Sequence, residues 1–349
     1  VHRTKHVWEK ITDIENIKCA IVCASKKKTK RKGVQKVLTH IDHYASEIQQ
    51  LLITKTYKPS PYTEVVIKDG SSQKTRTIHK PKFYPDQCIH WALVLPLQKG
   101  WKKSLHPSTC GSIPQRGGHY GKKKIERWMR NDRKNTKYCY KLDISKYYQS
   151  INQDKLLQMF HRKIKDKNTL WLIEKIVRSH NKGLPIGNYT SQWFANLFLA
   201  KLDWHISQKL NVKYYVRYID DMVLFSSNKK KLHKIRNVVE EFISDIGLHV
   251  KGNWQVFKVK ERGVDFLGFR FFHTHTIIRK STAYRMHKRI RRIGKHIPTP
   301  SEVSAVFSYM GITTHCDSRN FIIDYILPYV DLRYLKELQS ENSKLIAVA

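Results

Sequence analysis

Three aspartates have the types and spacing that could do chemistry. In Tyr214-Tyr215-Val216-Arg217-Tyr218-Ile219-Asp220-Asp221-Met222-Val223-Leu224-Phe225, two β-type runs meet at adjacent carboxylates, so Asp220 and Asp221 fall at a hairpin tip between apolar strands. Neighbouring anions in such surroundings repel and raise each other's pKa unless a cation neutralises them. Oxygen-only ligands favour a hard divalent ion such as Mg²⁺. Asp143 follows a short strand, Tyr138-Cys139-Tyr140-Lys141-Leu142, far enough upstream of Asp220 to leave room for a helical layer. The two strands can then lie side by side in one sheet. Read singly, each feature has a plainer account: a solvated Asp-Asp turn, or an aspartate capping a helix. Read together, three carboxylates at one sheet edge would hold two Mg²⁺ ions about 3.5–4 Å apart, the arrangement for in-line phosphoryl transfer.

The charge points the same way. The chain has 349 residues with 66 Lys+Arg against 28 Asp+Glu, a net charge of +38. A globule so basic repels itself unless it lies against a polyanion, and nucleic acid is the first expectation. Joined to the carboxylates, this indicates a nucleotide polymerase. The apolar fraction of 40% supplies a packed core and argues against a disordered chain. No apolar run approaches the roughly 20 residues that span a bilayer, so no membrane is expected as a partner. The N-terminus carries no apolar signal core. The six cysteines include no CxxC pair and are expected as reduced thiols in a cytoplasmic protein.

The elements that must position these residues can be read along the chain. Residues 1–35 form a basic segment ending in Lys26-Lys27-Lys28-Thr29-Lys30-Arg31-Lys32-Gly33, either a mobile solvated loop or a phosphate-binding arm. Helical spacing predicts a helix over 36–56, closed by Pro59 and Pro61. A hairpin is expected over 62–80 around Asp69-Gly70, then helices over 86–97 and 122–130. From 138 to 272 strands and helices alternate, with helix over most of 155–179, a turn at 183–186 leading into helix through about Leu210, helix over 231–246 and a strand at 264–272. From about 280 the chain is helical and basic, and 343–349 is expected to fray. The Gly183-Leu184-Pro185-Ile186-Gly187 turn permits close approach of another backbone, read as a contact to a substrate strand.

Four motifs occur in one order: Lys141-Leu142-Asp143-Ile144-Ser145-Lys146-Tyr147-Tyr148; Leu184-Pro185-Ile186-Gly187 with Ser191-Gln192; Tyr218-Ile219-Asp220-Asp221; and Val264-Asp265-Phe266-Leu267-Gly268-Phe269. Their order resembles the palm of reverse transcriptases. Within that superfamily the chain looks most like the enzymes of diversity-generating retroelements, because Ile186-Gly187 followed by Ser191-Gln192 stands where group II intron and retroviral enzymes have Pro-Gln-Gly. Asn253-Trp254-Gln255-Val256, Thr274-His275 and Arg279-Lys280-Ser281 resemble the same group. The resemblance runs from about Val1 to about Tyr309, with no endonuclease, maturase or RNase H domain expected.

The resemblance implies an α+β right-hand polymerase, with fingers over 36–137, an antiparallel palm sheet over 138–275, and a helical thumb and tail over 276–349. It implies that Asp143, Asp220 and Asp221 bind two Mg²⁺ or Mn²⁺ ions with the backbone of Ile144. Tyr148 would be the steric gate against a ribose 2′-hydroxyl. Lys74 and Arg76 on the fingers hairpin would grip the triphosphate, while Ile186, Gly187 and Gln192 would line the nucleotide site. Arg116 and Ser191 would meet the nucleic acid, Phe266-Leu267-Gly268 would form the primer grip, and Arg285, Lys288 and Arg292 in the basic stretch 285–295 would track thumb phosphates. His119 is expected to be structural or to touch template, and Lys251 and Lys258 are candidate general acids. Ile186 replaces a glutamine amide that many accurate enzymes hold against the nascent pair, which implies error-prone copying at template adenines. The implied reaction is RNA-templated DNA synthesis from dNTPs, in a bacterial or phage-encoded cytoplasmic enzyme with template RNA, cDNA and a small basic helical accessory protein as partners. A stand-alone reverse transcriptase of phage defence, making DNA from a dedicated non-coding RNA, is the alternative; a catalytically dead RNA-binding module is the third.

Overall fold

A computed structural model describes residues 6–68 and 75–348. The chain divides into two compact units, Val1–Gly121 with Tyr140–Val256, and Lys122–Cys139 with Phe257–Ala349. Among the described residues ten strands are present. In the first unit β1 (Thr63–Lys68) and β2 (Thr75–Lys80) pair antiparallel from Thr63↔Lys80 to Lys68↔Thr75, which is the expected hairpin. Its turn, Asp69-Gly70, and Lys74 lie outside the described residues.

The central sheet runs β3-β5-β6-β4-β7, where β3 is Thr109–Cys110, β4 Tyr138–Asp143, β5 Tyr214–Tyr218, β6 Asp221–Ser226 and β7 Gln255–Lys258. Strands β4 and β6, distant in sequence, are therefore neighbours, as the carboxylates require. One expectation is corrected: the sheet is not purely antiparallel. The glycine-rich segment 105–121 contributes β3, which pairs parallel to β5 through Thr109↔Arg217 and Cys110↔Tyr218.

Helices back the sheet because their apolar stripes need covering. Trp101 from the helix Cys88–Ser104 meets Phe160, Trp193 and Phe194 at ring separations of 6.0, 5.9 and 6.0 Å. The helix expected over 36–56 is two, Lys32–Thr39 and Ile41–Ile53, because His40 departs from helical backbone between them. The first begins inside the basic run, and Lys28 within that run is pinned to Gln87 and to the Ala24 carbonyl. The helical stretch 155–179 is likewise two helices, Gln153–Lys163 and Lys167–Val177, divided where the Asp166 carboxylate caps the second. That carboxylate also accepts the backbone N–H groups of Val7 and Trp8 at 3.2 and 2.9 Å, fastening the N-terminal helix.

In the second unit the strand expected at 264–272 is a hairpin, β8 (Val264–Phe266) and β9 (Phe269–Phe271), followed by β10 (Thr276–Ile278). Leu267 (φ 53°) and Gly268 (φ 87°) make its two-residue turn. The helix Lys280–Ile293 buries Met286, Ile290 and Ile293, and the last two join a cluster with Val303, Val306, Ile326, Val330 and Leu335. The terminal helix Leu332–Val348 continues into the stretch expected to fray; Leu, Lys, Glu and Ala are good helix formers. No helix among the described residues is long and apolar enough to cross a membrane.

Candidate active site

The β5–β6 hairpin closes through two residues, Ile219 and Asp220, between the paired Tyr218 and Asp221. Such a turn needs positive φ, usually from glycine or asparagine, yet here a β-branched Ile219 sits at φ 59°. Strain of this kind persists only where surroundings over-determine the backbone. Ile219 donates its N–H to Cys110 at 3.3 Å. Its carbonyl accepts from Arg217 Nη1 at 2.7 Å. Arg217 is fully buried, and its guanidinium forks onto the equally buried Asp203 through Nε–Oδ1 at 2.7 Å and Nη2–Oδ2 at 2.6 Å. Asp203 also accepts from Tyr215 and Thr109, while Asn196 takes Arg217 Nη1 at 3.2 Å and donates to Gly111 at 3.0 Å. A saturated buried network thus fixes the shape of the turn that carries two of the three carboxylates.

Asp143 ends the adjacent strand. The N–H of Ile144 donates to the Asp220 carbonyl at 3.3 Å, and the Asp143 carbonyl accepts from Lys251 at 2.8 Å. Burial, then the charge of Asp143 and a hydrogen bond with it, push the Asp220 carboxyl up to about 7; Asp221 adds to the same direction. The Lys251 ammonium is bonded to Asp143 Oδ2, whereas Asp143 Oδ1 is buried with no hydrogen-bond partner. Among the described residues no three acidic, His or Cys side chains lie close enough together to hold one ion. The donor set nevertheless fits a hard divalent cation: oxygen ligands only, a buried Asp143 oxygen left unsatisfied, and an Asp220 carboxyl pushed upward by burial and by the neighbouring carboxylates.

Tyr148 is half-buried near this site, and burial followed by Asp220 and Tyr218 hold its phenol well above the ordinary range. Its carbonyl accepts from Leu184 at 2.7 Å, joining the Gly183–Gly187 turn to the start of the site. Ile186 is part-exposed and Gln192 exposed, but Ser191 is buried at the start of the helix Tyr189–Phe198 and offers no surface to a strand. The backbone that Gly187 admits is the chain's own: a Cβ there would overlap the His79 carbonyl of β2. Arg116 donates to the His106 carbonyl at 3.3 Å, and Arg76 and His119 are exposed. Ile144 has a buried side chain, so only its backbone can face a ligand.

In the second unit Phe266 is fully buried, while Leu267 and Gly268 keep part of their surface. Lys288 and Arg292 are exposed, Arg285 half so, on the side of their helix away from Met286 and Ile290. Lys258 pairs with Glu261 at 3.2 Å. Sequence reading missed Arg217, Asp203 and Asn196. The available signal was a charged residue within an otherwise apolar strand, which demands a buried counter-ion.

A sheet bearing carboxylates on adjacent strands, backed by helices, belongs to the mixed helix-and-sheet fold of right-hand polymerases. The family model for reverse transcriptase (RNA-dependent DNA polymerase) matches residues 67–271, more than half of the chain, and the chain belongs to that family. It is similar to the Retron Ec73 reverse transcriptase of Escherichia coli, 31% identical over 136 residues that cover 35% of this chain and 43% of that protein. It is also similar to the putative COX1/OXI3 intron 2 protein of Saccharomyces cerevisiae, 20% identical over 336 residues, covering 73% of this chain and 38% of that one. The chain thus spans less than half the length of these relatives. Telomerase from Candida albicans, solved in complex with a TWJ fragment of telomeric RNA, shares the fold with TM-score 0.50 at 12% identity, over 74% of this chain and 54% of that chain.

Proposed function

We propose that this protein is an RNA-directed DNA polymerase that extends a DNA strand from dNTPs on an RNA template, with Asp143, Asp220 and Asp221 as its catalytic carboxylates. The observation that carries this reading is the convergence of Asp143 and Asp220 from neighbouring strands, where the Ile144 N–H bonds the Asp220 carbonyl at 3.3 Å and where burial, then the charge of Asp143, raises the Asp220 carboxyl. Divalent ions, Mg²⁺ or Mn²⁺, when bound to these carboxylates and the Ile144 backbone, supply activation of the 3′-hydroxyl and neutralise charge on the leaving pyrophosphate. The chain's own groups do the rest. The buried Arg217–Asp203 fork keeps the turn in shape. Tyr148 excludes a 2′-hydroxyl, Ile186, Gly187 and Gln192 border the nascent pair, and Lys74 and Arg76 hold the triphosphate. Lys251, already bonded to Asp143, would hold a proton for the departing pyrophosphate. Arg116, Leu267, Gly268, Arg285, Lys288 and Arg292 supply contacts to nucleic acid.

Within this chemistry, Ile186 in place of an amide-bearing residue supports a mutagenic enzyme serving a diversity-generating retroelement, with a small basic helical protein as accessory. The retron relative supports a second reading, a defence-type enzyme that makes DNA from a dedicated non-coding RNA. Asp143→Ala or Asp220→Ala should reduce synthesis by about a thousandfold or more while RNA binding persists; loss of both together would mean that these residues serve folding. Sequencing the cDNA made from co-purified RNA separates the two roles. Errors concentrated at template adenines support the retroelement; accurate copies of one structured RNA support the second.

A further inference from the structure

The fingers hairpin is fastened at its root to the loop that carries Ile186. From β2, His79 donates its N–H to the Ile186 carbonyl at 2.8 Å. Gly187, at φ 141°, lies so close beneath that no side chain fits against the His79 carbonyl. From the start of β1, the Tyr62 hydroxyl bonds Ser179 Oγ at 2.6 Å and accepts from Asn188 Nδ2 at 2.9 Å. Asn188 occupies the N-cap of the helix Tyr189–Phe198, yet its side chain makes no cap. It turns to Tyr62 instead, and its Oδ1 is left buried with no hydrogen-bond partner. His79 and His180 close the joint, with ring centroids 4.5 Å apart. On its other side the same loop is tied to Tyr148 through the Leu184 N–H, and Gly183 leaves no room for a Cβ against the Tyr148 and Gln149 backbone.

We propose that this joint is a specificity-determining latch: Tyr62, Gly187 and Asn188 are positioning residues that couple the tilt of the hairpin to Ile186 and Tyr148, and so set how strictly the enzyme selects base and sugar. The inference rests on the reading that Ile186 and Tyr148 border the nucleotide. One loop carries Ile186 and bonds the Tyr148 carbonyl through Leu184, so displacing the hairpin root bears on both residues. The helix that follows gives up its side-chain cap to make the connection.

The test uses the full chain with a defined RNA template and DNA primer, measuring kcat and KM for correct dNTP, mismatched dNTP and rNTP. Tyr62→Phe and Asn188→Ala should each change the correct-to-incorrect ratio of kcat/KM by about three- to tenfold, the range spanned by one neutral hydrogen bond. The change should fall mainly on KM. Gly187→Ala should cost up to about a hundredfold, as a misplacement near 1 Å can; should it fail to fold, the Tyr62→Phe variant, which removes a single oxygen, still decides. Combined with Ile186→Gln, the latch variants should be non-additive. Activity that falls only with the folded fraction, at unchanged selectivity, would overturn the latch. If Ile186→Gln alone changes nothing while Tyr62→Phe relaxes rNTP exclusion, the latch stands through Tyr148 and the role of Ile186 is lost. If the unmodified chain makes no DNA, the functional reading fails; the latch is then judged by amide exchange, and it fails too unless Tyr62→Phe speeds exchange at both His79 and Leu184.

Discussion

At the scale of the residue, Asp220 links the chemistry of the site to stability. Its carboxyl in the fold titrates at about 7, against 3.8 when free, because it is buried beside Asp143. A folded pKa above the unfolded one means a stabilising contribution that is complete below about pH 4 and lost as the pH rises through about 7. In EDTA, the melting temperature should therefore decline from acid to neutral pH. Asp220→Asn should abolish that part of the decline, leaving the variant more stable than the parent at about pH 8 and equal to it near pH 4. Matching pH profiles for the two proteins, measured by calorimetry, would count against the crowding of carboxylates. Lys251 beside Asp143 already partly answers the same need, in that a cation belongs there.

At the scale of the element, the β5–β6 hairpin holds a conformation its sequence resists, and the Arg217–Asp203 pair holds it there. Removing one partner of a buried pair leaves the other uncompensated and costs about 3–5 kcal/mol. Arg217→Met is expected to lower the unfolding free energy by that amount in urea titrations. Arg217→Lys keeps the charge but loses the fork that reaches Asp203, Asn196 and Ile219 at once. It should retain most of the stability while kcat falls by more than tenfold, because the turn carrying Asp220 loosens. Stability and kcat falling in strict proportion would indicate a purely structural pair.

Across the whole molecule, a charge of +38 would make the proposed RNA binding predominantly electrostatic. Affinity should fall about 10³–10⁵-fold between 50 and 200 mM salt if six to ten phosphates are neutralised. Replacing Arg285, Lys288 and Arg292 together by Gln should flatten the log–log slope by about two to three, as expected when each neutralises one phosphate. A fluorescence-anisotropy titration with an unchanged slope would remove this helix from the interface. Much of this architecture was legible in the chain. The carboxylate spacing, the hairpin signal before Asp220, the 62–80 hairpin and the basic helix after 280 all follow from local periodicity and turn chemistry, which neighbouring residues suffice to determine. Tertiary structure alone decided the rest. It laid β3 parallel to β5, turned Phe266 and Ser191 inward, matched Arg217 to Asp203, and pressed the His79 backbone onto Gly187. Those outcomes depend on which distant surfaces are buried together, and burial sets the cost of every unpaired charge and unfilled space. A linear pattern can name the residues that need partners, but only packing in three dimensions selects the partners.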